Sequence, residues 1–149
     1  MKTLIVYDSV YGNTEKIANS IANTIGGDTR IIRTGDVNIS ELESIDLLII
    51  GSPTYGGSPT PPVQDFLSRI SESSLKNTSI AAFDTRLSGK FFKIFGNAAN
   101  KIDKSLKSKG GISIMPPEGF FVKGTKGSLV EGEEERAAVW ARDIVSSKM

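Results

Sequence analysis

Leu4-Ile5-Val6-Tyr7-Asp8-Ser9-Val10-Tyr11-Gly12-Asn13-Thr14 is the stretch on which the fold turns. Four apolar residues without alternation fit a strand buried on both faces, as parallel strands are. A short polar loop with one glycine follows. From Thr14 to Ile25 the residues Ile17, Ala18, Ile21, Ala22 and Ile25 then recur at helical spacing, and Gly26-Gly27 ends the helix. The loop therefore opens a helix, and a helix N-terminus with free backbone amides is an anion site. Ser9, Tyr11 and Thr14 add hydroxyl donors. The loop contains no Lys or Arg, so a phosphomonoester held there would be bound by oriented dipoles rather than by counter-charge. The same residues also suit a plain helix cap, and on geometry alone both readings stay open.

Outward from this unit, short apolar runs alternate with amphipathic segments. Arg30 to Arg33 is a short strand flanked by charge, which suits a sheet edge. Ser40 to Ser44 is a loop or weak helical turn. Asp46 to Ile50 is a third strand ending at Gly51, and a helix starts near Pro61-Pro62 and runs to Ile70. Ser79 to Phe83 is a fourth strand. Phe92, Phe95, Ala99, Ile102 and Leu106 predict a long helix that ends at Gly110-Gly111. Ile112 to Met115 is a fifth strand, interrupted by Pro116-Pro117 and resumed by Phe120-Phe121-Val122. Glu133 to Val145 is the last helix, and Glu131 and Glu133 to Glu135 suit the positive end of its dipole. This order predicts one α/β domain over residues 1–149, a doubly wound five-stranded parallel sheet with helices on both faces and right-handed crossovers. Ligands of such sheets lie beyond the carboxyl ends of the strands, at the loops after strands one, three and four.

Two absences exclude whole classes of chemistry. The 149-residue chain has no cysteine and no histidine. Disulfides, thiolate metal sites, a Cys nucleophile, the Ser-His-Asp triad and the HExxH metal site are all ruled out. With 18 basic and 17 acidic side chains the formal charge is +1, so no overall field draws the chain to nucleic acid. Lys101, Lys104, Lys107 and Lys109 read as a solvated helix face. The first apolar run stops at Asp8, too short for a signal segment, and no run reaches the roughly 18–20 apolar residues of a membrane span. A cytoplasmic protein, monomeric or weakly dimeric, is the expectation.

After the third strand comes Gly51-Ser52-Pro53-Thr54-Tyr55-Gly56-Gly57-Ser58-Pro59. Its glycines and prolines allow close backbone approach to a flat ligand, and Tyr55 offers a ring to stack on. An ordinary turn with one exposed aromatic is the alternative. No G-x-G-x-x-G is present. Gly89-Lys90 is followed by Phe91, with Asp84 where a P-loop would have its first glycine, so the nucleotide motifs fail.

Ser9 to Thr14 after a first strand resembles the phosphate loop of flavodoxins, Ser/Thr-x-Thr/Tyr-Gly-Asn-Thr. Gly51 to Gly57 resembles their second flavin loop, in which an aromatic residue precedes a glycine. Glu118-Gly119-Phe120-Phe121-Val122-Lys123-Gly124 resembles the end of their fifth strand, and Trp140 falls where their last helix often has an aromatic. The resemblance covers essentially the whole chain, in the short form of the family. It implies a flavodoxin-like sheet of strand order 2-1-3-4-5 and FMN as cofactor. The FMN phosphate would lie at Ser9, Val10, Tyr11, Gly12, Asn13 and Thr14, and the isoalloxazine at Pro53, Thr54, Tyr55, Gly56 and Gly57. A third contact would come from Asp84, Thr85, Arg86 and Leu87. In flavodoxins a peptide of the second loop turns so that its carbonyl meets the flavin N5–H of the reduced states, a turn Gly56-Gly57 permits.

The third loop departs from the family pattern. It has no Tyr, and Phe91 is the nearest aromatic, while Phe92 also suits a helix core. Arg86, Lys90 and Lys93 make a basic rim where flavodoxins are generally acidic. An Arg86 facing the ligand would make reduction to an anionic hydroquinone easier; an Arg86 paired with Asp84 would not. The resemblance implies a redox carrier with no catalytic side chain. The alternative is an FMN-dependent NAD(P)H:quinone or small-substrate reductase. A phosphoacceptor domain is set aside because the third strand ends without a carboxylate. The expected partner is a redox protein of acidic character or an anionic small-molecule reductant.

Overall fold

The computed structural model describes residues 1–88 and 96–148. The apolar runs become strands β1 (Lys2–Tyr7), β2 (Asp28–Arg33), β3 (Leu47–Pro53), β4 (Ser79–Leu87), β5 (Ile112–Ser113) and β6 (Glu118–Val122). The amphipathic segments become helices α1 (Asn13–Ile25), α2 (Pro61–Arg69), α3 (Ala98–Ser108) and α4 (Glu133–Lys148). The stretch around Ser40 to Ser44 forms a 3₁₀ turn over Ile39–Ser44. All strand pairs are parallel, in the order β2-β1-β3-β4-β5, with β6 also paired to β4.

The fifth strand position is occupied in two pieces. Ile112 and Ser113 pair with Ser79 and Ile80, and Glu118 to Val122 pair with Phe83 to Leu87. Pro116-Pro117 lies between them, where missing amide hydrogens break the ladder. The sheet thus keeps five positions but carries a sixth strand.

Two loop assignments made from the sequence are corrected. β3 continues through Gly51-Ser52-Pro53, and β4 continues through Asp84-Thr85-Arg86-Leu87. Ser52 and Pro53 pair with Asp84 and Thr85, and β6 pairs along the other side of β4. Local apolarity ends at Phe83, but pairing on both sides carries the strand onward. The third helix begins at Ala98, where the extended Asn97 caps it by accepting from the Asn100 amide at 2.8 Å, so the long helix expected through Phe92, Phe95 and Ala99 does not run through Gly96 and Asn97. Gly89, Lys90, Phe91, Phe92, Lys93 and Phe95 lie outside the described residues.

Alternation along β1 and β3 divides the core into two layers. Leu4, Val6, Leu48 and Ile50 pack against Val63 and Phe66 of α2 and Ile102 and Leu106 of α3. Ile5, Leu47 and Ile49 pack against Ile17 and Ile21 of α1 and Trp140 and Ile144 of α4. Each fully buried aliphatic side chain contributes roughly 1.5–3 kcal/mol. Phe83, Phe120 and Trp140 form an edge-on triangle with all centroids 6.1 Å apart. The Phe83 ring lies over Gly51, where a Cβ would stand 2.0 Å from ring carbon Cζ.

The start of α4 does more than complement a dipole. Glu133 is buried and accepts from the Phe121 amide at 2.8 Å. Arg136 donates to Glu133, to Glu118 and to the Gly119 carbonyl, and its guanidinium covers the Phe120 ring at 4.7 Å. These side chains satisfy polar backbone groups of β6 at the sheet edge.

Candidate functional site

The parallel sheet brings the ends of β1, β3, β4 and β6 to one edge, and a cavity opens there. Ser9, Val10, Tyr11, Asn13 and Thr14 form one wall, Pro53, Thr54 and Tyr55 a second, and Thr85, Arg86 and Leu87 a third. Gly12, Gly56, Gly57 and Asp84 are not in the wall; they shape the segments that are.

Gly12 adopts a positive φ of 91°, which turns the chain from β1 into α1. The Ser9 hydroxyl accepts from the amides of Gly12 at 3.1 Å and Glu15 at 3.4 Å. Among the described residues the amides of Val10, Tyr11, Asn13 and Thr14 have no acceptor. Thr14 and Thr85 hydroxyls lie 2.8 Å apart, both buried. That contact ties the first loop to β4 and leaves one hydroxyl proton for a ligand. The Asn13 carboxamide turns away and donates to the Gly127 carbonyl at 2.6 Å.

The cation nearest this loop comes from β2, which reading the loop alone did not reveal. Arg33 donates to the Ser9 carbonyl at 3.1 Å, lies over the Tyr7 ring at 5.2 Å, and stands 3.7 Å from both Asp8 and Glu15. It supports the loop from a carbonyl while two carboxylates share its charge. The donors without acceptors are therefore backbone dipoles.

Tyr55 and Ser58 exchange backbone hydrogen bonds of 3.0 and 3.1 Å around Gly56 and Gly57, whose φ values are 57° and 78°. Two successive positive φ values make glycine the fitting residue at both positions. Tyr55 is 38% exposed, so part of its ring is open to a ligand. Burial, then neighbouring Tyr11 and Asp8, raises its phenol above the ordinary value.

Arg86 adopts the paired arrangement. Its Nε and Nη2 donate to Asp84 at 2.7 and 3.1 Å. Burial pushes the Asp84 carboxyl up, against the opposing pull of Arg86, the Ala99 amide and Thr54. Reading Arg86 as a free cation that eases flavin reduction is thereby corrected, because its charge is met by a buried carboxylate. Lys90, Lys93 and Phe91 lie outside the described residues.

Val122 and Thr125 complete the wall, and sequence reasoning missed them. Val122 ends β6, and Thr125 lies in the turn that follows, closed by Gly127 on Gly124 at 2.9 Å and held to the first loop by Asn13. The signal was Gly124-x-x-Gly127 directly after a strand, which keeps the turn at the same sheet edge.

A family model described as flavodoxin matches residues 5–140. The chain belongs to the flavodoxin family. It is 38% identical over 96 residues to a flavodoxin of Clostridium beijerinckii, a match that covers 62% of each chain. It is 32% identical over 114 residues to a probable flavodoxin 1 of Bacillus subtilis, covering 73% of this chain and 70% of that one. A solved flavodoxin from the domain Archaea superposes with a TM-score of 0.82 at 22% identity, over 99% of both chains. This flavodoxin-family chain has the family's strand order, and none of its described helices is long and apolar enough to cross a membrane.

Proposed function

We propose that the chain binds FMN at this cavity and acts as an electron carrier. The observation that carries the reading is the first loop. It offers the backbone amides of Val10, Tyr11, Asn13 and Thr14, without acceptors among the described residues, at a helix N-terminus flanked by the Thr14 and Thr85 hydroxyls, with Arg33 already matched by Asp8 and Glu15. Such a set suits a phosphate monoester held by dipoles. The residues present fit the group. Amides of Val10, Tyr11, Asn13 and Thr14 would hold the phosphate, while Pro53, Thr54 and Tyr55 would lie along the ring. FMN bound there supplies one- and two-electron transfer, for which no side-chain acid or base is needed.

Val10, Tyr11, Tyr55 and Leu87 are exposed apolar residues around the opening. Lys123 and Lys126 flank Thr125 and make no ion pair among the described residues. An apolar mouth beside unpaired cations supports an acidic redox protein as partner. The reductase alternative draws on the Gly51-Ser52-Pro53-Thr54 loop and on a basic rim of Arg86, Lys90 and Lys93 that would receive a nicotinamide phosphate; pairing with Asp84 takes Arg86 out of that rim.

The test is reconstitution with FMN, removal of excess, and stepwise reduction followed by visible absorbance. Retained flavin bands, accumulation of the one-electron form and slow oxidation of NAD(P)H are expected. Loss of flavin on gel filtration would overturn the cofactor, and rapid NAD(P)H oxidation would overturn the carrier role.

A further inference from the structure

Asp84 is a fully buried carboxylate that electron transfer does not require. Its hydrogen-bond partners come from two parts of the chain. Arg86, two residues along β4, donates to it twice. The Ala99 amide, in the first turn of α3, donates at 2.9 Å. Thr54, just after β3, is tied to the same helix turn rather than to the carboxylate itself. It accepts from the Ala98 amide at 2.9 Å and donates its own amide to the Thr85 carbonyl at 2.9 Å. The carboxylate thus joins the end of β4 to the start of α3, whose neighbouring Ala98 amide holds Thr54 in the loop after β3.

The Arg86 side chain is confined as well as paired. Gly119 of β6 stands opposite Asp84 in register. A Cβ at Gly119 would lie 2.2 Å from Arg86 Nε and 2.3 Å from its Cζ and Nη2. The guanidinium lies flat across this glycine because nothing projects there. It is 17% exposed, and Arg86 and Thr54 both belong to the cavity wall.

We propose that Asp84 is a positioning residue for the ligand site: it holds Arg86 in the wall directly and Thr54 through the first turn of α3, and it neutralises Arg86, so that this wall presents no net charge to a bound flavin. The proposal rests on the FMN reading for its electrostatic half only. Coulomb attraction from an unmasked arginine would favour the more anionic, reduced flavin, and a masked one is indifferent. Removing one partner of a buried pair leaves the other uncompensated, whereas removing both does not.

The variants are Asp84→Asn, Arg86→Gln and the double substitution. Hydrogen exchange is measured first, on the ligand-free protein. The Ala98 and Ala99 amides should exchange about tenfold faster in Asp84→Asn than in the parent. The affinities of oxidised and fully reduced FMN are measured next. Their ratio should shift toward the reduced form by about fivefold in Asp84→Asn and toward the oxidised form in Arg86→Gln, with the double variant near the parent. Arg86→Gln carries the test if Asp84→Asn does not fold, because it leaves the Asp84–Ala99 hydrogen bond in place. A pair that only stabilised the core would lower the melting temperatures and leave both readouts unchanged, and that result overturns the proposal. If the parent holds no FMN, the cofactor reading falls while exchange at Ala98 and Ala99 still decides the positioning role.

Discussion

Replacing Thr14 by valine separates what the first loop does for the fold from what it does for a ligand. Valine keeps the shape and removes the hydroxyl that lies 2.8 Å from the Thr85 hydroxyl in a buried site. In the ligand-free protein Thr85 then loses its partner, at a cost of about 1–3 kcal/mol. For a domain of this size each kcal/mol lowers the melting temperature by about 2–4 °C. In the complex a second loss is added, because the hydroxyl proton left over from the Thr14–Thr85 contact is no longer there for the phosphate. A hydrogen bond to a charged acceptor contributes about 1.5–3 kcal/mol, which is roughly 10- to 150-fold in affinity. Riboflavin has no phosphate and should weaken by no more than about threefold. The double variant Thr14→Val/Thr85→Val removes both hydroxyls together, so stability should recover much of its loss while FMN affinity stays low. Thermal melts and fluorescence titrations with the two flavins measure these effects. Equal weakening of FMN and riboflavin would refute the phosphate assignment, and a double variant that regains FMN affinity would refute the role of the hydroxyl pair.

Three further outcomes follow from the same geometry. Tyr55→Ala should weaken FMN by roughly 0.5–1.5 kcal/mol beyond lost area and relieve part of the quenching of flavin fluorescence; unchanged binding and quenching would return Tyr55 to an ordinary exposed aromatic. Hydrogen bonds from Arg136 hold the Glu133 carboxyl below the usual range. Its folded pKa lies under the unfolded one, so its contribution is present above the ordinary carboxylate value and disappears as pH falls through the folded value. Glu133→Gln should accordingly cost about 1–3 kcal/mol at pH 7, with urea midpoints converging on the parent as the medium is acidified; a gap that holds constant to low pH contradicts this. Gly51→Ala places a methyl 2.0 Å from Phe83 Cζ and must displace the aromatic triangle, which should cost about 1–3 kcal/mol or more in chemical denaturation, and a neutral result would mean the ring has room to move.

The sequence by itself determined the alternation of buried strands and amphipathic helices, because hydrophobic period is local. Leu4 to Tyr7 and Asp46 to Ile50 fitted strands covered on both faces, and Ile17, Ala18 and Ile21 fitted one side of a helix. It also determined two of the loops that meet at the site, since Gly12 and Gly56-Gly57 are needed wherever the backbone turns through positive φ. Pro116-Pro117 marked the break in the fifth strand position. What only the tertiary structure decided depends on residues far apart in the chain. Asp84 to Leu87 read as a polar loop, yet pairing with β3 on one side and β6 on the other makes them strand. Arg86 could face a ligand or Asp84, and the choice rests on Gly119, more than thirty residues away, whose missing side chain leaves the slot. Arg33 behind the first loop, and Val122 and Thr125 in the wall, arrive by sheet order and by the Asn13–Gly127 hydrogen bond. Periodicity records which face of an element is buried; it carries no record of which element that face will meet.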